Sequence, residues 1–240
     1  PTECSAENTS TCQTKQVFRQ ALYEYERSKR LHDDVAVELD IMRDTLEAAL
    51  PGAHGVSGYI QGLGLNPFYA VFFNENQVQL FVNACKEPES VFHLDSTGGV
   101  IADIRGQKRP YYYCLFNPVL KIPACEFITT RHNATWLCAM LELFNEDAKL
   151  LNGRRSVRPT FIVTDFSFAL IYAVLYAYNK MTFVEYLNFA YKVLTGRCTS
   201  AEISVRTFLN FCFAHFSKLL STRLKRVEKS GRARRAAMVL

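Results

Sequence analysis

Two apolar runs, Val91-Phe92-His93-Leu94-Asp95 and Thr160-Phe161-Ile162-Val163-Thr164-Asp165, each end in an aspartate, and the two acids stand seventy positions apart. Short apolar runs bounded by turn residues read as core strands. An acid at the carboxyl end of such a strand is costly to bury unless it is paired or bound to a metal. It also sits where open α/β sheets place their ligands. Between the two runs, Asn133 heads a helical pattern with Trp136, Leu137, Met140, Leu141, Phe144, Ala148 and Leu151 on one face, and Asn152-Gly153 closes it. Strand, helix and strand in that order predict a mixed α/β layered domain with both aspartates on neighbouring strands.

The flanking chain adds elements to this unit. Residues 1–12 are polar, and Thr14 to Leu50 carries a helical pattern that breaks near His32-Asp33 and stops at Pro51-Gly52. A Gly-rich stretch from Gly52 to Gly64 precedes Pro67 to Phe73, which reads as a buried strand, and Gln77 to Lys86 fits a short helix. Val100 to Ile104, Tyr111 to Phe116 and Cys125 to Thr130 are further strand candidates, separated by Pro110, Pro118 and Pro123. After Asp165, Ser167 is placed to cap a helix over Phe168 to Tyr178 that is apolar nearly all round and therefore central. Two capping boxes follow: Thr182-x-x-Glu185, with its helix ending at Thr195-Gly196, and Thr199-x-x-Glu202, with a helix running to Val227. The expected division is residues 1–59 as a polar and helical region and 60–240 as the α/β domain, with a helical insertion after the second aspartate strand.

Charge is unevenly spread. The chain carries +5 overall, but eight basic residues from Lys218 onward face one acid, Glu228, so that segment supplies +7 and residues 1–217 sum to −2. Lys218, Arg223, Lys225, Arg226, Lys229, Arg232, Arg234 and Arg235 suit phosphate contacts and form the candidate DNA-binding set; a solvated helix face is the plain alternative. The eight cysteines include no Cys-x-x-Cys pair, which favours reduced, mostly buried thiols, and no secretory signal opens the sequence. With 49% hydrophobic residues and 13% aromatics, disorder is excluded as the main state.

Two carboxylates meeting at a sheet edge form a site for hard divalent cations, which take oxygen ligands. Two Mg²⁺ ions about 4 Å apart activate the attacking oxygen and stabilise the leaving one in phosphodiester cleavage. Against this stands a simpler role, in which each strand-terminal aspartate caps the following turn; Asp165 lies two positions before Ser167. Periodicity leaves both readings open.

The wording of the segments goes further. Phe92-His93-Leu94-Asp95-Ser96-Thr97-Gly98-Gly99, then Phe161-Ile162-Val163-Thr164-Asp165-Phe166-Ser167-Phe168-Ala169-Leu170, then Cys212-Phe213-Ala214-His215 resemble the Mutator-like (MULE) transposases over roughly residues 60–220. The resemblance implies an RNase H-like catalytic domain in which Asp95 and Asp165 are the first two metal-binding acids, holding Mg²⁺ or Mn²⁺. It implies a supporting role for Cys212 and His215, which face the same way if both sit on one helix. Thr97 is placed to orient Asp95 or to touch a phosphate. It further implies DNA, as transposon ends and target, as partner, together with self-association and a nuclear location.

The sequence departs from that family in one respect: no third catalytic glutamate is identifiable. Glu202 comes too early and Glu228 adjoins the basic run, so the resemblance puts the third acid past Leu240 and makes the chain a catalytically incomplete piece of a longer protein. Two other readings remain. One is a domesticated, non-catalytic DNA-binding or scaffolding protein that keeps the fold. The other is membrane insertion of Thr160 to Tyr178, which would set Asp165 in hydrocarbon at about 3 kcal/mol; a buried segment explains that stretch better.

Overall fold

The computed structural model describes residues 15–227 apart from positions 102 and 105. Two compact units divide the chain, Pro1–Thr45 and Leu46–Leu240. The first holds helix α1 (Lys15–Ser28) and the start of α2 (Val35–Ala49), with the break where the sequence places it. The reason is local: the Asp34 N–H donates to His32 Nδ1 at 3.0 Å, and Asp34 Oδ1 accepts from the Ala36 N–H at 2.8 Å, so the second helix gets its own cap.

The second unit is α/β, as expected. Strands β1 (Ile60–Leu65), β2 (Phe68–Phe72), β3 (Val91–Gly98), β4 (Tyr111–Asn117), β5 (Ile122–Thr129), β6 (Phe161–Thr164) and β7 (Phe208–Phe211) form one seven-stranded sheet in the order β1-β2-β5-β4-β3-β6-β7. Pairing is antiparallel from β1 through to β3 and parallel for β3-β6 and β6-β7. Helices α3 (Glu75–Ala84), α4 (Ala134–Leu151), α5 (Phe168–Val174), α6 (Phe183–Leu194), α7 (Ser200–Ser204) and α8 (Phe213–Val227) complete the unit. A mixed sheet flanked by helices in this order is consistent with an RNase H-like arrangement.

Alternation decides which face of the sheet is core. Phe92 and Leu94 on β3, Tyr113 and Leu115 on β4, Phe127 on β5 and Ile162 on β6 are buried on one face. Helices α3, α4 and α5 supply the other half of this cluster through Phe81, Leu137, Leu141, Phe144, Leu170 and Val174. Phe81 is its hub, meeting Phe92 and Phe144 edge-on with ring centroids 5.0 and 4.8 Å apart. The all-round apolarity of α5 has a physical cause: Leu170, Ala173 and Val174 face the main core, while Ile171 joins a second cluster with Leu175, Tyr186 and Phe189. The last turn of that helix, Leu175–Asn179, is π-helical and stops at Lys180, with φ at 52°. No described helix is long and apolar enough to cross a membrane, and Thr160 to Tyr178 is divided between β6, a loop and α5.

Both predicted capping boxes form, with Thr182 and Thr199 each accepting from the N–H three residues on and each paired back by Glu185 or Glu202. Asn133 caps α4, accepting from the Trp136 N–H at 3.0 Å, and Gly153 follows its end at φ 64°. Three expectations need correction. The Gly-rich segment contains a strand, β1, because Gly64 lets the Tyr69 ring lie against the backbone: a Cβ there would sit 2.2 Å from a Tyr69 ring carbon. Among the described residues of Val100 to Ile104 there is no strand. The chain leaves β3 through Gly99 at φ 82°, and Gln107 in the following loop is used as an end-plug. Its Oε1 accepts from Phe68 N–H at 2.8 Å and its Nε2 donates to the Leu65 carbonyl at 2.6 Å. The helix from Thr199 also does not reach Val227. It ends at Ser204, and Phe208–Phe211 is drawn into the sheet as β7, pairing Phe161 with Phe208 through Thr164 with Phe211.

Phe81→Ala should therefore lower stability by about 3–5 kcal/mol, the usual cost of emptying a well-packed aromatic site. Val119→Ala, at a position 84% exposed, should stay within about 0.5 kcal/mol. Urea midpoints at unchanged slope measure both, and a Phe81→Ala shift no larger than that of Val119→Ala would contradict the assignment of the hub.

Candidate active-site edge of the sheet

Parallel pairing of β3 with β6 ends at Leu94 opposite Thr164, so Asp95 and Asp165 are the next residues on two neighbouring strands. Adjacent strands lie about 4.8 Å apart, so the two backbones leave the ladder side by side. The β6-β7 ladder ends one step earlier than Cys212, at Thr164 opposite Phe211, and the Cys212 N–H continues it by donating to the Thr164 carbonyl at 2.8 Å. Asp95, Asp165 and Cys212 thus occupy matching positions across three strands. Cys212 is not inside a helix, as the sequence suggested. It stands at the head of α8, its carbonyl accepting from the Phe216 N–H at 3.0 Å, and His215 lies in the first turn with a buried Nδ1 that has no hydrogen-bond partner among the described residues.

Each aspartate spends one oxygen locally. Asp95 Oδ1 accepts from the Ser96 N–H at 2.8 Å, and Asp165 Oδ1 accepts from the Ser167 N–H at 2.9 Å. The turn-capping role therefore exists, and it leaves the second oxygen of each carboxylate for a ligand. Their charges reach different side chains of β4: Asp95 raises the Cys114 thiol pKa, after burial and the Glu126 charge, while Asp165 raises the Tyr113 phenol, after burial and Tyr111. Cys114 and Tyr113 project to opposite faces of β4, so the two charges act on opposite sides of the sheet while the backbones share an edge. Among the described residues, no three His, Cys, Asp or Glu side chains converge closely enough to hold a metal ion. Glu202 Oε2 closes the cap of α7, accepting from the Thr199 N–H at 2.8 Å and from the Thr199 hydroxyl at 2.9 Å. Thr97 is exposed on β3 opposite Tyr112.

Three features of this edge carry no signal in the sequence. His132, between β5 and α4, links Tyr113 and Ser167: its Nδ1 hydrogen-bonds the Tyr113 hydroxyl and its Nε2 lies 3.2 Å from Ser167 Oγ. Ser167 occupies the cap position of α5 but makes no side-chain cap bond; its hydroxyl serves His132 instead. Beside His132, a concave surface of about 470 Å³ is lined by Lys108, Arg109, Arg131 and Tyr111. An aromatic group flanks Asp165, where Phe166 stacks on Phe211 at 4.0 Å and approaches Phe216 at 6.2 Å. All three are exposed, as is Phe213 at 79%. Of the basic set, Lys218 and Arg223 are exposed on α8, Lys225 and Arg226 belong to the same helix, and Lys229, Arg232, Arg234 and Arg235 lie outside the described residues.

A second tie crosses the opposite face of the sheet. Glu126 on β5, level with Cys114 and through it with Asp95, accepts from the Tyr59 hydroxyl at 2.6 Å and from the Tyr112 hydroxyl. Burial first, then this carboxylate, pushes both phenols above the ordinary tyrosine range.

Comparison with protein-family models, with curated proteins and with solved structures returned no match.

Tyr113→Phe should destabilise the chain by about 1–3 kcal/mol at neutral pH, because it strands a His132 nitrogen. Its pH dependence has a fixed sign. A phenol raised in the folded state stabilises fully below the unfolded pKa of about 10 and loses that contribution as pH rises through the folded value. Alkaline denaturation followed by circular dichroism should show the gap between wild type and Tyr113→Phe closing above about pH 10. A gap that widens there would reject the chain of contacts.

Proposed function

We propose that this chain is the core of a DNA-processing domain of the Mutator-like transposase kind. The reaction this reading implies is phosphodiester cleavage and strand transfer. The observation that carries the reading is the pair of aspartates at matching ends of neighbouring parallel strands, with Cys212 next in the row. The donor set fits a hard cation: one carboxylate oxygen of Asp95 and one of Asp165 remain after their backbone bonds. Mg²⁺ takes one or two carboxylates and completes its shell with water and phosphate oxygens, so either aspartate alone, or both together, would supply enough protein ligands for one ion. A second ion needs a further carboxylate, which the described residues do not bring to this edge. When bound, such ions supply charge to the attacking and leaving oxygens of a phosphodiester.

The chain's own groups have separable roles. Ser96 and Ser167 N–H groups fix the orientation of the two carboxylates. Lys108, Arg131 and Arg109, the last paired with Asp103, line the concave surface beside His132 and would attract a phosphate backbone. Exposed Phe166, Phe211, Phe213 and Phe216 offer faces on which unpaired bases stack. Lys218, Arg223 and the basic residues after them extend the phosphate contacts. The reading implies transposon-end and target DNA as partners, self-association and a nuclear location. A second reading, a domesticated DNA-binding or scaffolding protein without catalysis, is favoured by one observation, the lack of three convergent metal-ligating side chains among the described residues.

Titration with Mn²⁺ should show weak binding that Asp95→Asn abolishes, while a supercoiled plasmid incubated with the chain stays intact. Binding unaffected by Asp95→Asn would remove the proposed metal site. Metal-dependent nicking that disappears in Asp95→Asn would show that the chain already completes its site.

Duplex DNA affinity should fall steeply with salt as phosphates release counterions. Deleting residues 221–240 should flatten that slope, and an unchanged slope would assign the basic segment to solvent.

A further inference from the structure

The edge of the sheet opposite the aspartates holds a concave pocket of about 520 Å³, formed by the segments that lead into β3, β6 and β7. Its wall has two chemistries. Val82, Val157 and Phe208 give an apolar side, and Lys86, Arg158 and Arg206 give a cationic one, with Glu87 as the single carboxylate in the lining.

The two guanidinium groups are built in rather than draped over the surface. Arg158 donates through Nη1 to the carbonyl of Val205, the residue before Arg206. Arg206 donates through Nη1 to the Asn179 carbonyl at 3.1 Å. Asn179, only 2% exposed, exchanges two bonds of 2.8 Å with the Thr207 backbone, and the Thr207 hydroxyl donates to the Pro159 carbonyl at 2.7 Å. The loop before β6 and the loop before β7 are thereby locked to each other and to the π-helical turn. Each arginine is held by a backbone carbonyl, and the rest of its five N–H donors remain.

Backbone carbonyls are the hydrogen-bond partners of both arginines, and no carboxylate among the described residues pairs with either. None of the ion pairs among the described residues involves Lys86, Arg158 or Arg206. Burial, and then the neighbouring Arg206 charge, lowers the Arg158 pKa, although arginine stays protonated. Like charges held together at a half-buried site cost stability unless an anion joins them. Paired guanidiniums match the oxygens of a phosphate, which accept two parallel N–H bonds from one fork. A volume of this size with an apolar side also accommodates a small organic body.

We propose that this pocket binds a small phosphomonoester, with its phosphate between Arg158 and Arg206 and its organic part against Val82, Val157 and Phe208. This site is separate from the aspartate edge and does not depend on the transposase reading. The apolar wall distinguishes the ligand from inorganic phosphate, which uses the cationic side alone. Lys86, exposed and hydrogen-bonded to Asn83 Oδ1 at 3.0 Å, adds charge at the rim.

Calorimetric titration of the whole chain at constant ionic strength tests this with three probes: adenosine monophosphate, inorganic phosphate and adenosine. The monophosphate should bind most tightly, phosphate more weakly, and adenosine not measurably. Arg206→Gln should weaken the monophosphate about tenfold, the loss expected for one charge-assisted contact, and Arg158→Gln/Arg206→Gln should remove it. Arg43→Gln, on α2 and outside the pocket lining, should change nothing. Added monophosphate should also raise the melting temperature of the wild type, as any ligand of the folded state does, and not that of the double variant. If the arginine variants do not fold, Lys86→Ala alone should still weaken binding severalfold. No binding by the wild type, binding untouched by every pocket substitution, or adenosine binding as well as its monophosphate would each overturn the proposal. Displacement of the monophosphate by duplex DNA, with duplex affinity lost in the double variant, would also overturn it, because the pocket would then be a nucleic-acid contact.

Discussion

Parallel pairing of β3 with β6 is the constraint on which the rest of the domain depends. Val91 to Leu94 lies against Phe161 to Thr164, joining segments seventy positions apart. Side-chain bonds pin its open end, where the Thr160 N–H donates to Ser90 Oγ at 2.9 Å and Thr160 Oγ1 donates to the Pro88 carbonyl at 2.9 Å. A parallel pair needs a crossover, and α4 supplies it while closing one face of the core. Both ends of the ladder then acquire chemistry. The carboxyl ends set the backbones of Asp95 and Asp165 side by side, and the amino ends bring Arg158 beside the loop of Arg206.

Strand β7 extends this logic by one step. It pairs with β6 in parallel, so the carboxyl ends of β3, β6 and β7 all open on the same edge. Cys212 and the start of α8 are delivered beside Asp165 without any local sequence preference for that placement. The cost of a short seventh strand is met by bonds outside the ladder: Leu209 N–H donates to the Tyr186 hydroxyl at 2.7 Å, and Asn179 holds Thr207. These contacts also explain why α5 ends in a π-helical turn. The wider turn carries Asn179, whose side chain and carbonyl hold Thr207 and Arg206.

The two faces of the sheet have different duties. One face is packed by rings and branched side chains around Phe81 and admits little change in volume. The other carries polar ties, among them the carboxylate of Glu126 held by two phenols. A residue's face is set by alternation, so Tyr113 and Cys114, adjacent in the chain, answer to different aspartates. Tyr113 is the exception that joins both duties: it stacks on Phe127 in the core at 4.9 Å while its hydroxyl reaches His132 at the edge.

Local chemistry determined much of this protein without reference to the fold. Asn133, Thr182 and Thr199 mark helix starts because a side-chain oxygen satisfies orphan N–H groups a few residues away, and Gly153 and Gly196 mark ends because they adopt positive φ. The two aspartate-terminated strands and the central, apolar α5 were legible for the same reason. Tertiary structure alone decided what has no nearby signature. It made a strand of Ile60–Leu65 by fitting a tyrosine ring against Gly64, and withdrew one from Val100 to Ile104 so that Gln107 could close the sheet's end. It stopped a well-capped helix at Ser204 because Phe208–Phe211 gains more from pairing with β6 than from another helical turn. It also placed His132 between Tyr113 and Ser167, and set Arg158 against the loop of Arg206. Pairing partners and long-range hydrogen bonds are chosen by energies shared between distant residues, and a window of neighbouring residues does not contain them.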